Sequence, residues 1–340
     1  MTSIDGECRV PEIGCSFPAS FEAAEQARVA ESLGFDYIGF YDSPALEPDV
    51  WLTVADALRS TDRIAVGPYV LIPHLRHPMV QASAIATLSH YWPGRLKIGM
   101  GTGYTGRMAM GQRPLSWAFM RRFVAQLRGL LGGEEVEINA ASTQMIHPPG
   151  YAPERPIDVP LCIAANGPKG IQVARDCSDG LIYGGPLESA PRGFEWLEIP
   201  LVGIPLEEGE AASSPRIIEA ARVWFTLQYH LKYDGFSSNA VQDLPHGDDW
   251  LETIERFRDS TRHLRVHDRH LVEVNQHDHA FSERHRDELE AFASRTAMSP
   301  TQMRERLGEA EALGATRVMV WTILPDWERG LRSFASVLGK

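Results

Sequence analysis

The sequence predicts a (β/α)8 barrel with a long insertion ahead of the last helix and strand. Three observations predict it. Eight short apolar runs recur along the chain, each ending in small or turn-forming residues. Helix-like segments with start and stop signals lie between them. The fourth run ends in a glycine-rich G-M-G-T-G. Most runs are continuously apolar, as parallel strands covered by helices require. A doubly wound sheet is the alternative for the same pattern. In a barrel, function belongs at the carboxyl ends of the strands.

The expected strands are Ile13–Phe17, Tyr37–Tyr41, Ile64–Leu71, Leu96–Gly101, Leu161–Asn166, Leu181–Gly184, Ile199–Leu206 and Arg317–Leu324. Pro200 and Pro205 interrupt the seventh, and proline cannot donate to a strand ladder. Ser20 starts a helix through Leu33, with Gly34 as its left-handed stop. Leu115–Leu131 reads as an amphipathic helix closed by Gly132-Gly133. Ser214-Pro215 opens a helix toward Tyr233, and Ser299-Pro300 opens one ending at Gly314, each with proline at the first helical position. Residues 235–298 form a long polar insertion, of a kind that commonly lids or shapes an active site. No low-complexity linker separates it, so residues 1–340 are expected to form a single domain.

The 340 residues are 44% hydrophobic and 23% charged, ordinary for a soluble enzyme. A net charge of -12 argues against nucleic-acid and anionic-membrane binding. No apolar run approaches the roughly 18 residues of a membrane helix, and the N-terminus has no apolar signal core. The chain is expected to be cytoplasmic. Cys8, Cys15, Cys162 and Cys177 show no C-x-x-C spacing and read as reduced, mostly buried thiols; no metal or redox role is expected of them.

Glycines at a strand end let backbone N–H groups approach an anion closely. Thr102 and Gly103 therefore suit a cofactor phosphate, through N–H groups and a hydroxyl; a tight turn needing glycine for steric reasons is the other reading. Ala165, Asn166, Gly167 and Lys169 follow the fifth strand, where Pro168 opens a helix. The N–H groups of that helix start suit phosphate or ribityl oxygens, or the segment is a plain strand-to-helix loop. Tyr183 and Gly184 end the sixth strand, near enough to approach a cofactor. Asp42, in Y-D-S-P, is an acid at an early strand end, placed to orient substrate, relay a proton, or cap the next loop. His74 is a candidate for the pocket, while His77 before Pro78 reads as structural. Tyr104 follows the glycine turn and is placed to donate to a developing oxyanion.

The insertion holds His263, His267, His270, His277, His279 and His285. No cysteine or paired carboxylate completes a metal set, so these read as a solvated or substrate-facing surface. A glycosidase is disfavoured, because strands four to six end in glycine, threonine and asparagine where that chemistry needs paired carboxylates.

Several blocks resemble the bacterial luciferase-like superfamily, and within it the group around methylenetetrahydromethanopterin reductase. They are L-R-H-P-M-V-Q-A-S-A-I-A-T-L, P-G-R-L-K-I-G-M-G-T-G, G-Q-R-P-L, V-P-L-C-I-A-A-N-G-P-K-G-I-Q-V-A-R-D-C-S-D-G-L-I-Y-G and R-L-G-E-A-E-A-L-G-A-T-R-V-M-V. The resemblance implies a (β/α)8 barrel, usually a homodimer, that binds coenzyme F420 or FMN. It implies that the third strand passes beneath the cofactor ring at Val70 and Leu71, with a non-prolyl cis peptide expected near Val70-Leu71. It implies that the Thr102–Gly103 turn and the Ala165–Lys169 segment hold the cofactor. The chain departs from its relatives at Ser43, where they carry histidine, and at Tyr104, where the deazaflavin sugar dehydrogenases carry glutamate. FMN monooxygenases often read E-H-H where this chain reads Y-D-S.

The first expectation is hydride transfer between reduced F420 and a small imine, enone or carbonyl. The alternatives are an FMN monooxygenase served by a separate flavin reductase, and a non-catalytic flavin-binding barrel.

Overall fold

The computed structural model describes residues 11–235, 238–321 and 325–339. Cys8 and the expected strand end 322–324 lie outside them. Among the described residues eight parallel strands form the sheet: β1 (Glu12–Phe17), β2 (Tyr37–Phe40), β3 (Ala65–Pro68), β4 (Ile98–Met100), β5 (Leu161–Ala164), β6 (Gly180–Ile182), β7 (Trp196–Leu201) and β8 (Arg317–Trp321). Neighbours run β3-β2-β1-β8-β7-β6-β5-β4. Parallel bridges Val66–Leu96 and Leu71–Met100 then join β3 to β4. The two edges of the sheet meet, so the architecture is the TIM barrel and not the doubly wound sheet.

Caps set the helices of the outer layer. In α1 (Ala23–Ser32) Ser20 accepts the Glu22 N–H in the turn ahead of the helix instead of capping it, and Gly34 at φ 82° stops it. In α2 (Val50–Arg59) the Asp49 carboxylate accepts from Trp51 and Leu52 N–H. His77 caps α3 (Pro78–Tyr91) by accepting the Met79 N–H on Nδ1 at 3.1 Å. Ser116 caps α4 (Trp117–Gly132), and α5 (Pro168–Cys177) starts on its proline.

The seventh strand differs from expectation. It begins at Trp196 and ends at Leu201, while Ile204-Pro205 pairs separately with Ala297-Met298. Two prolines in a short run leave too few donors for one continuous ladder.

The polar insertion is helical and has an apolar interior. α6 (Pro215–Gly235) packs against α7 (Gly247–Glu255), α8 (Gln276–Arg284) and α9 (Arg286–Thr296) around Phe225, Tyr229, Trp250, Phe281 and Leu289. These residues recur at helical spacing within a polar composition, so the average polarity hides the buried stripe. α10 (Pro300–Ala312) carries a capping box between Ser299 and Gln302, and α11 (Trp327–Leu338) closes the outer layer. No described helix is long and apolar enough to cross a membrane.

The barrel interior is partly polar. Near the amino ends of the strands, Lys97 Nζ and Arg317 Nε reach Glu12 Oε2 at 2.5 and 3.0 Å, and Arg317 stacks 3.6 Å from the Trp196 ring centroid. Above them the Tyr37 hydroxyl donates to Glu198. Cys15 and Cys162 are buried, Cys177 is half-buried, and all three are free thiols.

Candidate active site

A cavity of about 470 Å³ opens at the carboxyl ends of the strands. Its walls are Tyr69, Val70 and Ile72 after β3, Gly101–Gly106 after β4, Ala164–Asn166 after β5, and Ile182, Gly184, Pro200, Leu271 and Trp321. Its far corner is Tyr41, Asp42, Ser43 and Glu47 from the segment after β2.

The β3–β4 seam shapes one wall. A non-prolyl cis peptide lies at Tyr69–Val70, one residue before the expected position, between the two bridges that close the barrel. Val70 then faces the cavity and Leu71 does not. Leu71 is fully buried, with its N–H on Gly99 O at 2.8 Å. Alternation of side chains resumes past the cis peptide, so Val70 and Leu71 face opposite sides while Tyr69 and Val70 both reach the cavity.

The turn after β4 holds Gly103 at φ 81°. A Cβ there would lie 2.7 Å from Ile72 Cγ2 and 2.9 Å from Arg107 Cγ, so both the backbone and the packing need glycine. Thr102 lines the cavity, and its carbonyl accepts the Leu115 N–H at 2.8 Å. Ala165 and Asn166 also line it, and Asn166 Oδ1 accepts the Gly184 N–H at 2.9 Å, tying the β5 and β6 ends together.

Besides Leu71 and His74, three expected residues lie elsewhere. Gly167 and Lys169 are exposed at the start of α5, and Lys169 borders a separate surface groove with Trp117 and Arg121. Tyr183 points outward into the helix-covered layer, its hydroxyl on Pro186 O at 3.3 Å.

Asp42 is at the cavity but its oxygens are occupied. Arg76 Nη1 donates to both at 3.0 Å, and the Ile72 N–H reaches Oδ2 at 3.0 Å. Burial raises its pKa, while Arg76 and the Ile72 N–H pull it back. His74 sits in the turn after β3, outside the cavity wall. Burial and the nearby Arg107 lower its pKa. Tyr104 lines the cavity, and its hydroxyl points to Leu231 O at 3.4 Å and Asp234 Oδ2 at 3.5 Å on α6. Burial first and Asp234 second raise its pKa.

The sequence reading missed Glu47, which is 9% exposed and lines the cavity. Its Oε2 accepts the Ser43 N–H at 3.3 Å. Burial raises its pKa to about 8, against the Ser43 and Ala19 N–H groups, and Asp42 adds to the rise. The only local signal was an acid a few residues beyond a strand end. At the cavity floor Tyr69 Oη, Trp321 Nε1 and the nearby Glu198 Oε1 are buried without a partner at hydrogen-bonding geometry.

Two of the six insertion histidines correct the expectation of a solvated or substrate-facing surface, while His279 is exposed and His263, His277 and His285 are half-buried. His267 and His270 are each 2% exposed. Asp278 accepts from His230 Nε2 at 2.8 Å, Trp250 Nε1 at 2.9 Å and Asn275 Nδ2 at 2.6 Å. His230 and His270 share a hydrogen bond between their Nδ1 atoms at 2.8 Å. On either side of His270, Arg269 and Leu271 take positive φ values, and Leu271 reaches the cavity wall. Among the described residues no group of three or more His, Cys, Asp or Glu is arranged to hold a metal ion.

The family model described as luciferase-like monooxygenase matches residues 14–198, just over half of the chain. The chain is 35% identical over 176 residues to an F420-dependent glucose-6-phosphate dehydrogenase of Beutenbergia cavernae, a match covering 45% of this chain and 49% of that protein. It thus spans about half the length of the curated relatives it matches. Two solved structures share the fold. The coenzyme F420-dependent tetrahydromethanopterin reductase of Methanopyrus kandleri aligns with a TM-score of 0.63 at 19% identity, covering 96% of this chain and 97% of that one. The oxygenating constituent of 3,6-diketocamphane monooxygenase of Pseudomonas putida, in complex with FMN, aligns at 0.59 and 15% identity, covering 96% and 97%.

Proposed function

We propose, from the premise that this chain belongs to the luciferase-like monooxygenase family, that it is an oxidoreductase transferring a hydride between reduced F420 and a small uncharged imine, enone or carbonyl compound. The observation that carries this reading is the composition of the cavity. A polar rim of Thr102, Gly103, Asn166 and Gly184 faces apolar walls of Val70, Ile72, Ile182 and Trp321. Among the described residues no lysine, arginine or histidine lines it. A phosphorylated sugar such as the relative's glucose 6-phosphate would find no counter-cation there, and a desolvated dianion needs one.

The residues fit the cofactor class. Thr102 and Gly103 would hold the cofactor phosphate through backbone N–H groups and the threonine hydroxyl. Val70 would support the ring, and Trp321 Nε1 and Tyr69 Oη place two polar groups on the floor, where Tyr69 also faces Trp321 and Glu198. When bound, reduced F420 supplies a hydride, two electrons without oxygen chemistry. The chain's residues bind it, orient the substrate and exclude water. The apolar walls also favour a second reading, an FMN monooxygenase, because a dry pocket protects a reactive oxygen adduct.

Titration of the purified protein with F420 and with FMN, each oxidised and reduced, tests both. Micromolar F420 binding with negligible FMN affinity is expected. Preferential binding of reduced FMN would move the reading to oxygen chemistry, and binding of neither would overturn the cofactor assignment.

A further inference from the structure

Three carboxylates lie in the segment joining β2 to α2, and their partners differ. Asp42 is gripped by Arg76 and the Ile72 N–H. Asp49 caps α2 and takes Arg76 Nη2 at 2.7 Å. Among the described residues Glu47 has backbone N–H groups alone, from Ser43 and Ala19, and no cation pairs with it. It is nonetheless the one of the three that combines burial with a place in the cavity wall and unoccupied acceptor capacity. The turn that carries it is fixed by Leu46 and Glu47 N–H bonds to Ser43 O at 2.7 and 3.0 Å.

The surroundings select its protonation state. The charged and titratable groups facing Glu47 are Asp42 on its own segment and Tyr41 at the end of β2. Arg76, from the turn after β3, is spent on Asp42 and Asp49. A buried carboxylate without a counter-cation, beside a second carboxylate, favours its neutral form. The other proton-bearing groups of the wall are phenols. Tyr104 is directed at Asp234, Tyr41 shares a hydrogen bond with Ser16 Oγ at 3.2 Å, and both are raised further by burial. Among the described cavity-wall residues Glu47 is the acid whose proton can move near neutral pH, as general catalysis requires.

Resting on the hydride-transfer reading, we propose that Glu47 is the catalytic acid of this cavity, donating its carboxyl proton to the heteroatom of an uncharged C=O or C=N substrate. The hydride from reduced F420 forms the new C–H bond, and the π pair of the C=X bond moves to the heteroatom. That heteroatom takes the proton from Glu47. The substrate is reduced by two electrons, the cofactor oxidised by two, and Glu47 is left as a carboxylate. In reverse, the Glu47 carboxylate removes the proton from the alcohol or amine.

The test reads the carboxyl group directly, by infrared difference spectroscopy on protein labelled with 13C-glutamate. The expected result is a protonated-carboxyl C=O band that titrates with a midpoint near 8 and is missing in Glu47→Gln. In Glu47→Asp the labelled band should give way to an unlabelled carboxyl band, and far-UV circular dichroism verifies that both variants fold. Saturating oxidised F420 should shift the band or its midpoint. A Glu47 band that titrates in the ordinary range near 4.5 overturns the proposal, as does a band that ignores bound F420. F420 binding is measured separately on the same samples. If wild type binds no F420 while the band titrates near 8, the cofactor reading fails and the neutral acid stands.

Discussion

Arg76 Nη1 lies 3.0 Å from both carboxylate oxygens of Asp42, so the acid most visible in the sequence ties two loops together. The pair joins the end of β2 to the turn after β3, and Arg76 extends to Asp49 at the start of α2. The cavity corner is therefore a rigid frame on which Glu47 sits.

Asp42→Asn should lower stability by about 1.5–3 kcal/mol, the cost of weakening a hydrogen bond to a charged group that stays buried. Urea unfolding measures it. A midpoint equal to wild type would show that Asp49 alone satisfies Arg76.

Glu47 makes stability depend on pH with a definite sign. Its folded pKa of about 8 stands above the ordinary 4.5, so the native state holds a proton that the unfolded chain releases. The contribution is full below the unfolded value and is lost as pH rises through the folded one. Relative to Glu47→Gln, wild type should lose about 5 kcal/mol between the two values. Parallel stability curves for the two proteins would contradict this.

The buried histidine cluster acts in the opposite direction. Burial, with His230 and His267 nearby, lowers the His270 pKa well below 6.5, so the unfolded chain binds a proton that the native state refuses. Stability should fall as pH drops below 6.5, by up to about 1.4 kcal/mol per pH unit, and His270→Gln should flatten that slope. Asp278→Ala would leave the buried Trp250, Asn275 and His230 donors unpaired. Hydrogen exchange should then quicken in α6, α7 and α8 before the barrel strands.

Gly67 is where β3 presses on β4. A Cβ there would lie 1.6 Å from the Lys97 carbonyl oxygen, and backbone cannot give way as a side chain can. Gly67→Ala should cost at least about 4 kcal/mol or prevent folding. A melting temperature within about 3 °C of wild type would be incompatible with the closed seam.

Thr102→Val keeps the shape of the turn after β4 and removes one hydroxyl. If that hydroxyl meets a cofactor phosphate, F420 affinity should fall roughly tenfold or more. Unchanged affinity would leave Thr102 a structural member of the turn.

The sequence by itself determined the barrel, because strand runs, proline starts and glycine stops are local signals, each set by backbone sterics and side-chain hydrogen bonding. It also placed the Thr102–Gly103 turn and Asn166 at strand ends. Strict alternation along a strand would have separated Val70 from Leu71 and Gly184 from Tyr183, since in each pair one residue faces the cavity and its neighbour the helices. Only the tertiary structure decided the electrostatics. Asp42 and Glu47 look alike in sequence, but Arg76 arrives from another loop to occupy the first and leaves the second without a cation. The insertion's histidines likewise took their role from α6, whose His230 meets His270 and Asp278 across the fold. Protonation depends on burial and on partners distant along the chain, and a linear pattern carries neither.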